Sequence, residues 1–184
     1  MWQFKLGDIT IYEKWNRPTL GVFKECLKQW RELHPNTDPY EIYLIGCAAE
    51  KWFGECKLET WDIDLAIKGP IHDYEKLAAM MKDAVRIGFE NRIFIDIFWI
   101  SWLYDNSGTV VPYEQIRFYK HTHLENKLGN VLINDLDYDN NAEELPYGLF
   151  KFYRNNGSRS LTKVQTRIKD GNYKHIHINL KDIE

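Results

Sequence analysis

Long apolar runs are missing from this sequence. No stretch approaches the length of about 18 consecutive apolar residues that a membrane-spanning helix requires, and Met1 to Trp15 lacks the basic start and apolar run of a secretory leader. A protein without leader or span is expected to be soluble and cytoplasmic, with no membrane partner. Cysteine is scarce too: Cys26, Cys47 and Cys56 are odd in number and show no CxxC spacing, which argues against a disulfide framework or a thiolate zinc site. Buried thiols in a reducing compartment are the plain expectation. Internal repeats and low-complexity linkers are also absent. There is no excess of positive charge, because the formal net charge is −3, so overall charge predicts no polyanionic partner.

What is present describes a folded chain. Of 184 residues, 44% are hydrophobic, and seven Trp, eleven Tyr and nine Phe supply enough apolar bulk for a core. One domain over residues 1–184 is expected, with its core over about 19–100 and an extension over about 101–184. Charge is unevenly spread. Leu145 to Lys169 holds Lys151, Arg154, Arg159, Lys163, Arg167 and Lys169 and no acid, a local +6 against −9 for the rest. Any face that contacts phosphate is therefore expected towards the C-terminal part.

Trp2, Phe4 and Leu6 alternate before Gly7-Asp8, and Ile9 and Ile11 alternate after it, which predicts an N-terminal hairpin. Thr19 is a candidate N-cap for a helix whose apolar positions Phe23, Cys26, Leu27, Trp30 and Leu33 make one core-facing stripe, with Pro35 limiting its extent. A strand over Glu41 to Ile45 ends at Gly46, a short helix follows over Cys47 to Phe53, and Gly54 stops it. After the loop Glu55 to Thr60 comes the strand WDIDLAI. Asp73 then caps a helix with apolar positions Tyr74, Leu77, Ala78, Met81 and Val85, ended by Gly88 and Asn91, and RIFIDIFWI from Arg92 is a third apolar strand. This order predicts an α/β (α+β) fold, a mixed β-sheet flanked by helices. Beyond Ser101 the pattern weakens into short aromatic-rich pieces, an acidic loop over Asn134 to Glu144 and a final hairpin in which Asp170-Gly171 joins Val164 to Lys169 with Tyr173 to Leu180.

Two aspartates inside an apolar strand demand a reason, since taking an unpaired carboxylate out of water costs several kcal/mol. Side chains alternate along a strand, so Asp62 and Asp64 share a face at a spacing of roughly 6.6 Å, with Ile63 and Leu65 on the other. Asp96 lies between Phe94 and Phe98 on its own strand, and joins the pair if that strand lies beside WDIDLAI. Three clustered acids are tolerable chiefly when divalent cations offset them. Mg²⁺ prefers such oxygens together with substrate phosphates, and a pair of ions about 3.5–4 Å apart suits phosphoryl and nucleotidyl transfer. Gly46, between strand and helix, lets the backbone approach a phosphate.

Ile45-Gly46-Cys47, Asp62-Ile63-Asp64 and Ile95-Asp96-Ile97 together resemble the nucleotidyltransferase superfamily of DNA polymerase beta, whose pattern is hydrophobic-Gly-Ser, Asp-x-Asp on a strand and a third acid on a later strand. The resemblance covers Glu41 to Ile100. It implies a nucleotidyltransferase-like core in which Asp62 and Asp64 bridge two Mg²⁺ (or Mn²⁺) ions. By the same resemblance Asp96 binds the ion that activates the acceptor hydroxyl, and Gly46 with Cys47 holds the triphosphate of an NTP. The implied activity moves a nucleoside monophosphate from the NTP to an acceptor hydroxyl and releases pyrophosphate. The local +6 inclines the acceptor towards RNA or DNA, contacted by Lys151, Arg154, Arg159, Lys163 and Arg167. The chain has Cys47 where the family usually has Ser, and Trp61 where Ser often precedes the first Asp.

Those two positions motivate one alternative, a non-catalytic member of the same fold that binds a nucleotide or a partner. A second is a glycosyltransferase, since Asp-x-Asp also chelates metal with nucleotide-sugars. Asp96 is alternatively a salt-bridge partner of Arg92 or Arg117. His121 with His123, and His175 with His177, stand two apart and could share a face as ligands, though exposed strand histidines are the simpler expectation. Asn134 to Leu145 fails as a calcium loop, because counting from Asp135 the sixth position is Asn140 and the twelfth Pro146.

Overall fold

The structure, a computed structural model, describes residues 3–6, 9–12, 16–54, 60, 62–101, 113–118, 142–154 and 175–184, and for 3–6, 9–12, 113, 153 and 154 the backbone alone. The alternating N-terminal residues form β1 (Gln3–Leu6) and β2 (Ile9–Tyr12), an antiparallel pair in which Leu6 lies opposite Ile9. Its two strands make a sheet of their own.

The first helix, α1 (Leu20–Leu33), begins where Thr19 holds an extended conformation and its hydroxyl accepts the Val22 N–H at 3.2 Å. Phe23, Cys26, Leu27 and Trp30 are buried, but Leu33, expected to continue their stripe, is 51% exposed. The helix ends there, and it is the following His34 that turns inward, its Nε2 2.7 Å from Asp83 Oδ2. Burial of Cys26 pushes its thiol up to about 12, with the nearby charge of Glu25 adding to the shift.

Next come β3 (Glu41–Ile45), α2 (Gly46–Phe53), β4 (Asp62–Lys68), α3 (Tyr74–Glu90) and β5 (Phe94–Ile100). Asp73 caps α3 by accepting the Lys76 N–H at 3.0 Å. Gly88 does not end this helix, which continues to Glu90 with Asn91 as its C-cap. A Cβ at Gly88 would come within 3.0 Å of both the Ile93 carbonyl oxygen and Ile95 Cγ1, so the glycine serves close helix–strand packing. Arg92, at φ 59°, turns the chain, and β5 therefore starts at Phe94.

The later strands are β6 (Tyr113–Arg117), β7 (Glu143–Glu144), β8 (Phe150–Arg154) and β9 (Ile176–Ile178). Among the described residues they complete a seven-stranded mixed sheet in the order β7-β8-β6-β5-β4-β3-β9. Glu143–Glu144, expected in the acidic loop, is thus an edge strand beside β8. Of the expected C-terminal hairpin, the turn and first strand lie outside the described residues, and β9 pairs with β3. Among the described residues only β4 and β5 run parallel, which requires a crossover, and α3 supplies it.

Helices α1 and α3 cover one face of the sheet. Ile42, Leu44, Ile63, Leu65, Ile67, Ile95, Ile97, Trp99 and Ile116 join them in one core cluster. Trp30 fixes α1 to α3 through its indole N–H, which donates to the Met80 carbonyl at 3.1 Å. At the far edge, Arg31 on α1 donates to the carbonyls of Leu180 (2.9 Å) and Ile183 (2.5 Å), tying down the C-terminal turn. Among the described residues no helix is long and apolar enough to cross a membrane.

Candidate metal centre

Strand alternation sends Ile63, Leu65 and Ile67 into the helix-covered core and leaves Asp62 and Asp64 on the opposite face of β4. The parallel register of β4 and β5 sets Asp64 beside Asp96, with Asp62 beside Phe94 and Ala66 beside Phe98. The three carboxylates meet as expected for adjacent strands: one oxygen from each lies within 4.8 Å of the others, and all three residues are half-buried. Thr60, itself buried, donates its hydroxyl to the Asp62 carbonyl at 2.7 Å and fixes the start of β4.

Antiparallel pairing of β3 with β4 puts Ile45 opposite Asp64, so the chain leaves the sheet for α2 directly beside the acids. Gly46 makes that exit at φ +70°, a conformation that favours glycine, and a Cβ there would lie 2.5 Å from Asp64 Oδ2. Two independent constraints therefore demand glycine at this point. The N-cap Ile45 offers no side-chain cap, and the positive end of α2 adjoins Asp64. Cys47, half-buried, is the second residue of the helix.

Charge is the dominant energy of this arrangement. Two carboxylates within 4.8 Å repel by about 3 kcal/mol at an effective dielectric constant of about 20. Three such pairs need compensation, and part of it comes from β6. Antiparallel pairing puts Arg117 on the acid face, where its Nη1 donates to Asp96 Oδ1 and its guanidinium carbon sits 4.3 Å from the centre of the Phe98 ring. Arg117 is 4% exposed and Asp96 14%. Of the two arginines named from sequence for this role, Arg117 is the partner shown.

Mg²⁺ takes oxygen ligands at about 2.0–2.1 Å. Carboxylate oxygens within 4.8 Å of one another fit a hard cation after small rotations, and the all-oxygen set excludes a preference for soft metals. The close approach of backbone at Gly46 supplies an adjoining polar surface on which a phosphate could rest.

Other residues singled out from the sequence fall elsewhere. Lys151 lies opposite Ile116, on the helix-covered face, with its Nζ 3.2 Å from Glu114 Oε2. The backbone of Arg154 ends β8, while Arg159, Lys163, Arg167, Trp61, His121 and His123 lie outside the described residues. His177 and His175 flank the Tyr43 ring at 5.2 and 5.9 Å on the β3–β9 edge, where both are exposed. Burial, with Lys68 nearby, lowers the His175 pKa; burial and the hydrogen bond to Glu41 push the Tyr43 hydroxyl up to about 12. Among the described residues, Asp62, Asp64 and Asp96 are the one group of three potential ligands with metal-binding geometry. The chain matches no protein-family model, no curated protein and no solved structure.

Proposed function

We propose that the chain is a metal-dependent nucleotidyltransferase that moves a nucleoside monophosphate from an NTP to an acceptor hydroxyl. The observation that carries this reading is the register of β4 and β5, which sets Asp64 beside Asp96 with Asp62 completing a cluster within 4.8 Å. Strand, Gly-started helix, Asp-x-Asp strand, crossover helix and third-acid strand follow one another along the chain, and hydrophobic-Gly, Asp-x-Asp and a later acid in that order are what the resemblance to nucleotidyltransferases rests on.

In this reading Asp62 and Asp64 would hold two divalent cations, Mg²⁺ or Mn²⁺, and Asp96 would contribute to one of them. Bound there, the cations would supply Lewis-acid stabilisation of charge at the acceptor oxygen and the leaving pyrophosphate. The acceptor oxygen bonds to the α-phosphorus, the bond from that phosphorus to the β-phosphate's bridging oxygen breaks, and the hydroxyl proton passes to solvent. Gly46 and the first turn of α2 hold the triphosphate by backbone N–H groups. A thiol is a weak donor, so Cys47 adds less than a serine would. Asp62→Asn or Asp64→Asn is expected to abolish Mg²⁺-dependent release of pyrophosphate from an NTP, and undiminished release by either variant contradicts the mechanism.

The acceptor is proposed to be RNA or DNA. This rests on the basic segment, in which Lys151 is engaged with Glu114 and the contacts fall to Arg154, Arg159, Lys163 and Arg167. Binding that weakens steeply with salt supports it, and salt-insensitive binding removes it.

The ion pair of Asp96 with Arg117 favours a second reading, a non-catalytic nucleotide- or partner-binding protein of the same fold. It predicts NTP binding without product, and any transferred nucleotide eliminates it.

A further inference from the structure

A cavity of about 250 Å³ opens at the other end of β3 from the aspartates, where Glu41 begins the strand and β9 passes into the turn Leu180–Asp182. Ile45 is the residue of β3 opposite Asp64, and Glu41 lies four residues back along the strand, about 13 Å away. Tyr40, Ile42 and Leu180 are buried and, with Ile178, give the cavity an apolar lining. Its two walls differ in charge. The wall from Pro35 to Ile42 carries the acids Asp38 and Glu41, whereas the wall from His177 to Lys181 carries the Lys181 ammonium, the Asn179 amide and the His177 imidazole. Among the described residues no ion pair joins one wall to the other. Both walls are built into the fold. Tyr40 donates its hydroxyl to the Asp73 carbonyl at 3.4 Å and Lys76 Nζ donates to the Asp38 carbonyl at 2.6 Å, while Arg31 holds the carbonyls of Leu180 and Ile183. Asp38 and Lys181 also donate their backbone N–H groups, to Asn36 Oδ1 and Asn179 Oδ1, each at 3.1 Å. The chain is thereby fixed at both residues, and both are exposed at the rim.

We propose that this cavity binds a small zwitterion, a free α-amino acid with an apolar side chain. The ammonium of the ligand meets Asp38 and Glu41, its carboxylate meets Lys181 and the Asn179 amide, and its side chain lies against the apolar lining. A simple anion attracted by Lys181 is repelled by the two carboxylates, and a simple cation meets the reverse, so charge of both signs on opposite walls favours a ligand that carries both. The volume falls just below the range of about 300–1,000 Å³ that suits drug-sized ligands, which is too small for a nucleoside triphosphate and fits an amino acid. This site is separate from the aspartate cluster and does not rest on the metal-binding reading.

Titration of L-valine, L-leucine, L-methionine and L-phenylalanine in turn into isotope-labelled protein, followed by backbone amide NMR shifts, tests it. At least one of the four is expected to shift the amides of Asp38, Glu41, Asn179 and Lys181, and to saturate. Asp38→Asn combined with Glu41→Gln removes the acidic wall's charge, and Lys181→Met removes that of the other wall. Each variant is expected to bind the amino acid about tenfold more weakly or worse, as the loss of a hydrogen bond between charged groups requires. The counterparts that lack one charge, isopentylamine and isocaproate for L-leucine, are expected to be weakened to the same degree. The substituted side chains are exposed, so the variants are expected to fold, and their amide spectra report whether they do. If one variant does not fold, the other and the two counterparts still decide. No shift of these amides with any of the four amino acids, shifts confined to other parts of the chain, wild-type affinity in either variant, or equal binding of a counterpart that lacks one charge overturns the proposal.

Discussion

Gly46 and Asp64 are in contact across the β3–β4 pair, and a methyl group on Gly46 would stand 2.5 Å from Asp64 Oδ2. Gly46→Ala must therefore either displace that carboxylate or shift the start of α2. The positive φ adds about 1–2 kcal/mol of backbone cost. The expected outcome is a folded protein of lower midpoint that has lost Mn²⁺ affinity, seen by thermal unfolding and Mn²⁺ titration. Unchanged Mn²⁺ affinity would separate Gly46 from the cluster.

Helix packing can be tested apart from the site. Trp30 is 2% exposed and also donates to Met80, so Trp30→Ala is expected to cost about 3–5 kcal/mol in urea unfolding. Gly88→Ala pushes a methyl against Ile93 and Ile95 and is expected to cost about 1–3 kcal/mol by overpacking. A stabilising Gly88→Ala, as helix propensity alone predicts, would contradict the close packing of α3 on β5.

Asp83 predicts a pH dependence. Burial acts to raise its carboxyl, but hydrogen bonds from Arg86 and His34, with their charges, outweigh this and hold it below its ordinary value of 3.8. A group depressed in the folded state stabilises above its unfolded pKa and loses that contribution as pH falls through its folded pKa. Asp83→Asn is thus expected to have a lower midpoint than wild type at pH 6, the gap closing below about pH 3. The effect is small, about 1 kcal/mol or less, because Asp83 is 29% and Arg86 44% exposed. A gap independent of pH would assign the loss to something other than the carboxylate.

The elements from α1 to β5 were legible because their patterns are local. Thr19 and Asp73 sit where capping chemistry puts them, and the period of the apolar residues separates helix from strand. Asp62, Asp64 and Asp96 were legible because each is a charge inside an apolar strand. What was not legible depends on distant partners. That β9 pairs with β3, or that Glu143–Glu144 pairs with β8, follows from contacts far apart in sequence, which no local period encodes. Leu33 fits the helical period but is the last residue of α1, where it is exposed. Gly88 carries a helix-stop signal, overridden by the need for a small residue against Ile95. Arg117 carried the same signal as Asp96, a charge between Ile116 and Phe118, yet which arginine meets Asp96 depends on β6 pairing with β5.

The measurement that tests the central claim most directly is thermal unfolding of wild type and Asp62→Asn with each of the four NTPs, with and without Mg²⁺. A ligand that binds only the folded state must raise the midpoint. The account predicts a rise that needs both Mg²⁺ and an NTP and that disappears in Asp62→Asn. No rise with any NTP, or an equal rise in the variant, would contradict it and leave the three aspartates to structure or to another ligand.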